Sequence, residues 1–286
     1  MIEFGPLSLR VRELDPILDF YCKDLGLKVV RRDREIVQLG SSTTNTEPLL
    51  ILKNDPNAGT APQDAAGLYH FAMLLPDRRS LAGAYLKIGD AGVVFDGYAD
   101  HQVSEALYLT DPEGNGIEIY ADRPRNLWKF DEDEQVQMAT LPLDIDSLLK
   151  EVSGAKKEEL AALPEGTKIG HIHLKVTGLQ RSLSFYRTTL GFDLMRYYES
   201  AAFLSVGGYH HHIGMNTWES LGGPARKKEW MGLEFVTLRV PEKEMNILAS
   251  KLSGTPFLRG QSGDQLFVTD PDDIEFIIRA SGTLKS

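Results

Sequence analysis

The stretch Leu9-x-Val11-x-x-Leu14-x-x-x-Leu18-x-Phe20-Tyr21-x-x-x-Leu25-Gly26-Leu27 recurs without a gap as Leu174-x-Val176-x-x-Leu179-x-x-x-Leu183-x-Phe185-Tyr186-x-x-x-Leu190-Gly191-Phe192. The same offset carries Gly67-Leu68 through Pro76 onto Gly232-Leu233 through Pro241. Further on, Leu107-Tyr108-Leu109-Thr110-Asp111-Pro112 returns as Leu266-Phe267-Val268-Thr269-Asp270-Pro271. Matches this long at a nearly constant offset mean that the chain is internally duplicated.

Within each copy an alternating strand pattern is followed by apolar residues at helical spacing that end near Leu-Gly. Short β-rich runs broken by Gly, Asn and Asp come next. Each half therefore reads as two βαβββ modules, an α+β fold with modules near 4–56, 67–122, 168–218 and 231–280. The expected domains are 1–124 and 167–286, joined by a charged connector, 125–166, with helical stretches at Asp144 to Glu151 and Glu158 to Ala162.

A length of 286 residues suits two domains with packed cores. The single cysteine, Cys22, excludes an intramolecular disulfide. No signal-peptide pattern and no apolar run of spanning length is evident, so a cytoplasmic protein with no membrane partner is expected. A formal net charge of −10 without a Lys/Arg cluster argues against nucleic-acid binding.

The histidines carry the chemistry. All 7, His70, His101, His171, His173, His210, His211 and His212, fall in the second and third modules. With the repeat as an internal control, His70 aligns with Phe235, His101 with Gly260, Tyr108 with Phe267, His171 with Pro6 and His173 with Ser8. Only an acid persists on this reading, as Glu118 and Glu275. One such histidine is more often a hydrogen-bonded core residue than a ligand, and His173 is assigned to that structural role; the concentration of the others points to a site.

Two imidazoles and one carboxylate form a facial triad suited to Fe(II) with open coordination positions. The expected ligands are His70, Glu118 and His171. His171 is preferred to His173 because it follows Gly170 at the opening of its strand, although alternation puts both on one face.

These residues resemble the vicinal oxygen chelate superfamily, which includes glyoxalase I, bleomycin-resistance proteins and type I extradiol ring-cleaving dioxygenases. The resemblance covers nearly the whole chain and implies two half-open barrels. The segment His101-x5-Leu107-Tyr108-x2-Asp111-Pro112-x-Gly114-x3-Glu118 is similar to the extradiol dioxygenase motif. Ala99 departs from the residues that motif expects two positions before the histidine. Gly208-Tyr209-His210-His211-His212-Ile213-Gly214 resembles the family's second histidine stretch, which maps its acid/base onto His211 with His212 as competitor.

The whole chain is most similar to the bacterial two-domain catechol 2,3-dioxygenases. Those enzymes draw their ligands from the third and fourth modules, whereas here the full set comes from the second and third, which are expected to pair unless two subunits exchange halves. The resemblance implies one Fe(II) per chain, with Mn(II) as the other metal to consider. It implies a catechol-type substrate and O2, ring cleavage beside the hydroxyls, and catalytic roles for His101, Tyr108 and His211. Homo-oligomerisation stays open. Two rival readings remain, because one fold hosts many functions: a glyoxalase-like metal-dependent lyase or isomerase, and a non-catalytic binding protein of the resistance type.

Overall fold

The computed structural model describes residues 2–42, 47–132 and 135–281. Sixteen strands are found among them, and the four βαβββ modules occur as expected. The first comprises β1 (Glu3–Val11), α1 (Leu14–Leu18), β2 (Lys28–Arg32), β3 (Ile36–Gly40) and β4 (Leu50–Asn54). The second comprises β5 (Gly67–Leu74), α2 (Arg78–Asp90), β6 (Gly97–Asp100), β7 (Ser104–Thr110) and β8 (Gly116–Asp122). After the connector helix α3 (Ile145–Lys150), the third runs through β9 (Lys168–Lys175), α4 (Leu179–Ser184), β10 (Asp193–Tyr198), β11 (Ala201–Ser205) and β12 (Ile213–Asn216). The fourth is β13 (Gly232–Val240), α5 (Glu242–Leu252), β14 (Leu258–Ser262), β15 (Gln265–Thr269) and β16 (Glu275–Ala280).

Two compact units emerge from the packing, one of 1–10, 57–69 and 171–286, the other of 11–56 and 70–170. In the first, β10-β11-β12-β9 and β14-β15-β16-β13-β1 are hydrogen-bonded in those orders; in the second, β5-β8-β7-β6 and β4-β3-β2.

The repeated Phe-Tyr-x3-Leu-Gly segment has one physical meaning in both copies. Helices α1 and α4 widen into π turns at Asp19–Asp24 and Phe185–Thr189. Leu25 N–H then reaches the Phe20 carbonyl and Leu190 N–H the Phe185 carbonyl. Gly26 and Gly191 follow at φ 79° and 82°, a left-handed stop that a side chain would strain. The repeated tyrosine is buried and donates to the repeated aspartate: Tyr21 Oη to Asp111 Oδ2 at 2.9 Å and Tyr186 Oη to Asp270 Oδ2 at 2.9 Å. Each aspartate uses its other oxygen to hold the turn before the last strand, accepting from Glu113 and Asn115 N–H in one copy and from Asp272 and Ile274 N–H in the other. The Thr-Asp-Pro element is thus a structural clamp.

Three expectations need correction. The connector is helical at α3, capped by Asp144 on Ser147 N–H, but where a helix is expected from Glu158 to Ala162 it forms only a short turn at Lys157–Glu159. His171 lies inside β9, which begins at Lys168, so His70 and His171 both occupy the fourth position of their strands. The pairing of Glu118 with Glu275 also fails. Phe235 stands opposite Glu275 and Phe267 opposite Ile277, whereas His70 stands opposite Gly116 and Tyr108 opposite Glu118. Glu275 therefore matches Gly116, and Ile277 occupies the place of Glu118. The gap assumed in the alignment does not exist, because Asp273 at φ 59° takes the left-handed turn position that Gly114 holds at φ 89°.

Candidate metal centre

In the unit of 11–56 and 70–170, His70 on β5 and Glu118 on β8 come together. His70 Nε2 lies 3.1 Å from Glu118 Oε2, and both side chains are buried. Gly116, opposite His70, and Ala72, opposite Glu118, keep the neighbouring positions small. Ala72 also packs with Ala106 and Tyr120 in a core cluster that Tyr108 and Leu74 border. A buried carboxylate needs a cation or a proton beside it. A donor separation near 3 Å is what two ligands about 2.1 Å from one ion at a right angle give, so the imidazole–carboxylate pair fits a divalent transition metal.

Tyr108 is the cross-strand neighbour of Glu118 on β7, and its ring lies 5.7 Å from that of His70. His101 Nε2 is 2.6 Å from Tyr108 Oη. The register also shows why His101 lacks a counterpart in the repeat. Gly97 pairs with Tyr108 in the second module and Gly260 with Phe267 in the fourth, so Gly260 corresponds to Gly97. His101 sits on an extension of the β6–β7 hairpin that β14–β15 does not have.

In the other unit, His171 on β9 is buried with its ring 4.1 Å from His211 and 6.0 Å from His210. His210 and His211 bring their Nδ1 atoms to 2.8 Å, so at least one of the two carries a proton there. His212 faces elsewhere: its Nδ1 accepts from Val206 N–H at 3.3 Å and lies 2.8 Å from Ser205 Oγ. His173 Nε2 meets Asn216 Nδ2 at 3.0 Å, and its ring lies over Gly214, where a Cβ would come within 3.0 Å of it. Both belong to the packing of β9, β11 and β12.

Some neighbours are not evident from spacing. Phe203 on β11 lies 5.1 Å from the His211 ring and 5.6 Å from that of His173. Tyr69 and Trp218, half exposed, are 5.3 Å apart and both contact His173. Their strand and loop positions carry no motif that marks them in advance.

Glu275 pairs with Lys228 and is partly exposed. Among the described residues, no helix is long and apolar enough to cross a membrane.

A model of the glyoxalase/bleomycin resistance protein/dioxygenase superfamily matches residues 3–119 and 168–279. Catechol-2,3-dioxygenase of Bacillus subtilis (strain 168) is 40% identical over 271 residues, 93% of each chain. Biphenyl-2,3-diol 1,2-dioxygenase 3 of Rhodococcus globerulus is 29% identical over 117 residues, covering 40% of this chain and 60% of that one. Among solved structures, glyoxalase I from Zea mays aligns with a TM-score of 0.58 at 18% identity, covering 98% of this chain and 92% of the other, a likeness of fold.

Proposed function

Because this chain belongs to the glyoxalase/bleomycin resistance protein/dioxygenase superfamily, we propose that it is an Fe(II)-dependent extradiol dioxygenase that opens catechol or a substituted catechol with O2. The observation that carries this reading is the buried His70–Glu118 pair at 3.1 Å with Tyr108 and His101 beside it. The relative from Bacillus subtilis, named a catechol-2,3-dioxygenase, supports the substrate class.

His70, Glu118 and His171 hold the metal in this proposal, and all three are buried donors of the right kind. The residues matched by the family model lie inside 1–124 and 167–286, which supports these as the two domains.

Fe(II) supplies a point where catechol and O2 meet and electrons pass between them. The chain's own residues do the rest. Tyr108, its hydroxyl linked to His101, takes up the second phenolic proton of the substrate at its Oη as its own proton moves to His101 Nε2. His211 donates and accepts protons on the O2 side, and Phe203 beside it excludes water. One carboxylate and several imidazoles favour this chemistry over a glyoxalase-like lyase, for which a second carboxylate ligand is expected.

Anaerobic loading with Fe(II), then oxygen uptake and product spectra across a catechol panel, tests the reading. Stoichiometric O2 consumption with a ring-opened semialdehyde is expected. No uptake with any catechol, together with thiol-adduct isomerisation by the Zn(II) or Ni(II) protein, would replace it with the lyase.

A further inference from the structure

The connector has no place in the duplication, and it touches His101, which likewise has no counterpart in the repeat. His101 Nδ1 lies 2.7 Å from the carbonyl oxygen of Ala139. Around this contact the chain is bridged to the end of β6: Asp100 N–H donates to the Leu141 carbonyl at 2.8 Å, Leu141 N–H to the Asp100 carbonyl at 3.0 Å, and Ala139 N–H to the His101 carbonyl at 3.4 Å.

The hairpin tip is held from its own side as well. His101 N–H donates to the Ser104 carbonyl, Gln102 takes φ 68°, and its N–H donates to Asp100 Oδ1. Asp100 Oδ2 accepts from Arg123, which also reaches the buried Glu105. Glu105 in turn is bound by Arg78, and Arg78 donates to the Ser147 carbonyl and to Glu151 around α3. The connector is thus anchored to the β6–β7 hairpin that carries His101 and Tyr108 at two points, directly at Asp100 and through Arg78 at Glu105.

A carbonyl oxygen can only accept, so His101 Nδ1 carries the proton in this arrangement. The neutral ring then has its lone pair on Nε2, and Nε2 faces Tyr108 Oη at 2.6 Å. Were the tautomer reversed, Nδ1 would set a lone pair against the Ala139 oxygen in a half-buried place where no water need intervene.

We propose that the connector segment Ala139–Leu141 is a positioning element of the site: the Ala139 carbonyl holds His101 as the Nδ1–H tautomer and aims its Nε2 lone pair at the Tyr108 hydroxyl. The proton that leaves Tyr108 Oη comes to Nε2, Tyr108 Oη is refilled from the substrate hydroxyl, and the resulting imidazolium keeps its Nδ1–H on the carbonyl. No electron changes hands in this relay. The catalytic consequence rests on the dioxygenase reading; the tautomer does not.

Two measurements decide it. The first is the histidine 15N spectrum of the whole protein with selectively labelled imidazoles, His101 being assigned by its loss in His101→Asn. The Nδ1–H tautomer is expected, and an Nε2–H tautomer overturns the proposal even if no catechol is turned over. The second is Leu141→Pro, which removes the N–H that pins the segment to Asp100. With metal content and circular dichroism unchanged, kcat is expected to fall by about 10²-fold, the usual effect of misplacing a catalytic group, with KM nearly constant. In a His101→Asn background the same substitution should do nothing further. Additive losses in the double variant overturn the proposal. If Leu141→Pro does not fold, the spectrum of the wild-type protein alone decides.

Discussion

Replacing Gly170 by alanine tests how the strand before His171 is held. A Cβ at this position falls on the hydroxyl of Tyr120, 2.8 Å from its Cζ and 2.9 Å from Leu74 Cβ, closer than the 3.0 Å that real Cβ atoms respect. Tyr120 is fully buried against Ala72 and Ala106, so its ring has no open space to swing into, and the Leu74 Cβ is fixed by its own backbone. Overpacking of this kind costs about 1–3 kcal/mol, and the involvement of a strand Cβ and a rigid ring puts this case near 3 kcal/mol. For a chain of this size that lowers Tm by roughly 6–12 °C.

Calorimetry of the metal-free protein reads the stability, and metal analysis after Fe(II) loading reads the consequence for the neighbouring His171, which should be a reduced iron content. Adding Tyr120→Phe removes the hydroxyl that the methyl group meets and should recover part of the loss. An alanine variant with wild-type Tm and full iron content, or a double variant no better than the single, refutes the reasoning.

Substituting alanine for His70, Glu118 or His171 should abolish iron retention measured by metal analysis, while Glu275→Gln should leave one iron per chain; normal iron in any of the first three removes that residue from the ligand set. Tyr108→Phe and His211→Ala should keep iron and lose about 10²–10⁴-fold in single-turnover rate, the range for a placed proton-transfer group; unchanged rates return them to a structural role. Burial pushes the Asp270 carboxyl up to about 7, with the negative Asp272 adding to it against hydrogen bonds from Ile274 N–H and Tyr186 that oppose the rise. Since this folded pKa exceeds the unfolded value of 3.8, its contribution is complete below about pH 4 and is lost as pH rises through 7, by up to about 4 kcal/mol. Denaturant titrations of wild type and Asp270→Asn between pH 4 and 8 should therefore differ in slope, and parallel curves would count against the shift.

The repeated Phe-Tyr-x3-Leu-Gly and Thr-Asp-Pro segments made the duplication and the four modules readable, because strand alternation, helical spacing and left-handed stops are local properties that a short stretch carries by itself. The clustering of histidines in two modules was readable for the same reason, since it needs only their positions along the chain. What the local pattern misjudged was equivalence across turns: Asp273 adopts the conformation of Gly114, and only strand pairing shows that Ile277, not Glu275, stands in the place of Glu118. Partners far apart in the chain were decided by the tertiary structure alone. Tyr21 finds Asp111, Asn216 finds His173, and the Ala139 carbonyl finds His101. Each contact joins residues tens of positions apart whose local spacing contains no trace of the other, because a hydrogen bond depends on atoms brought within about 3 Å, and folding the strands and connector is what brings them there.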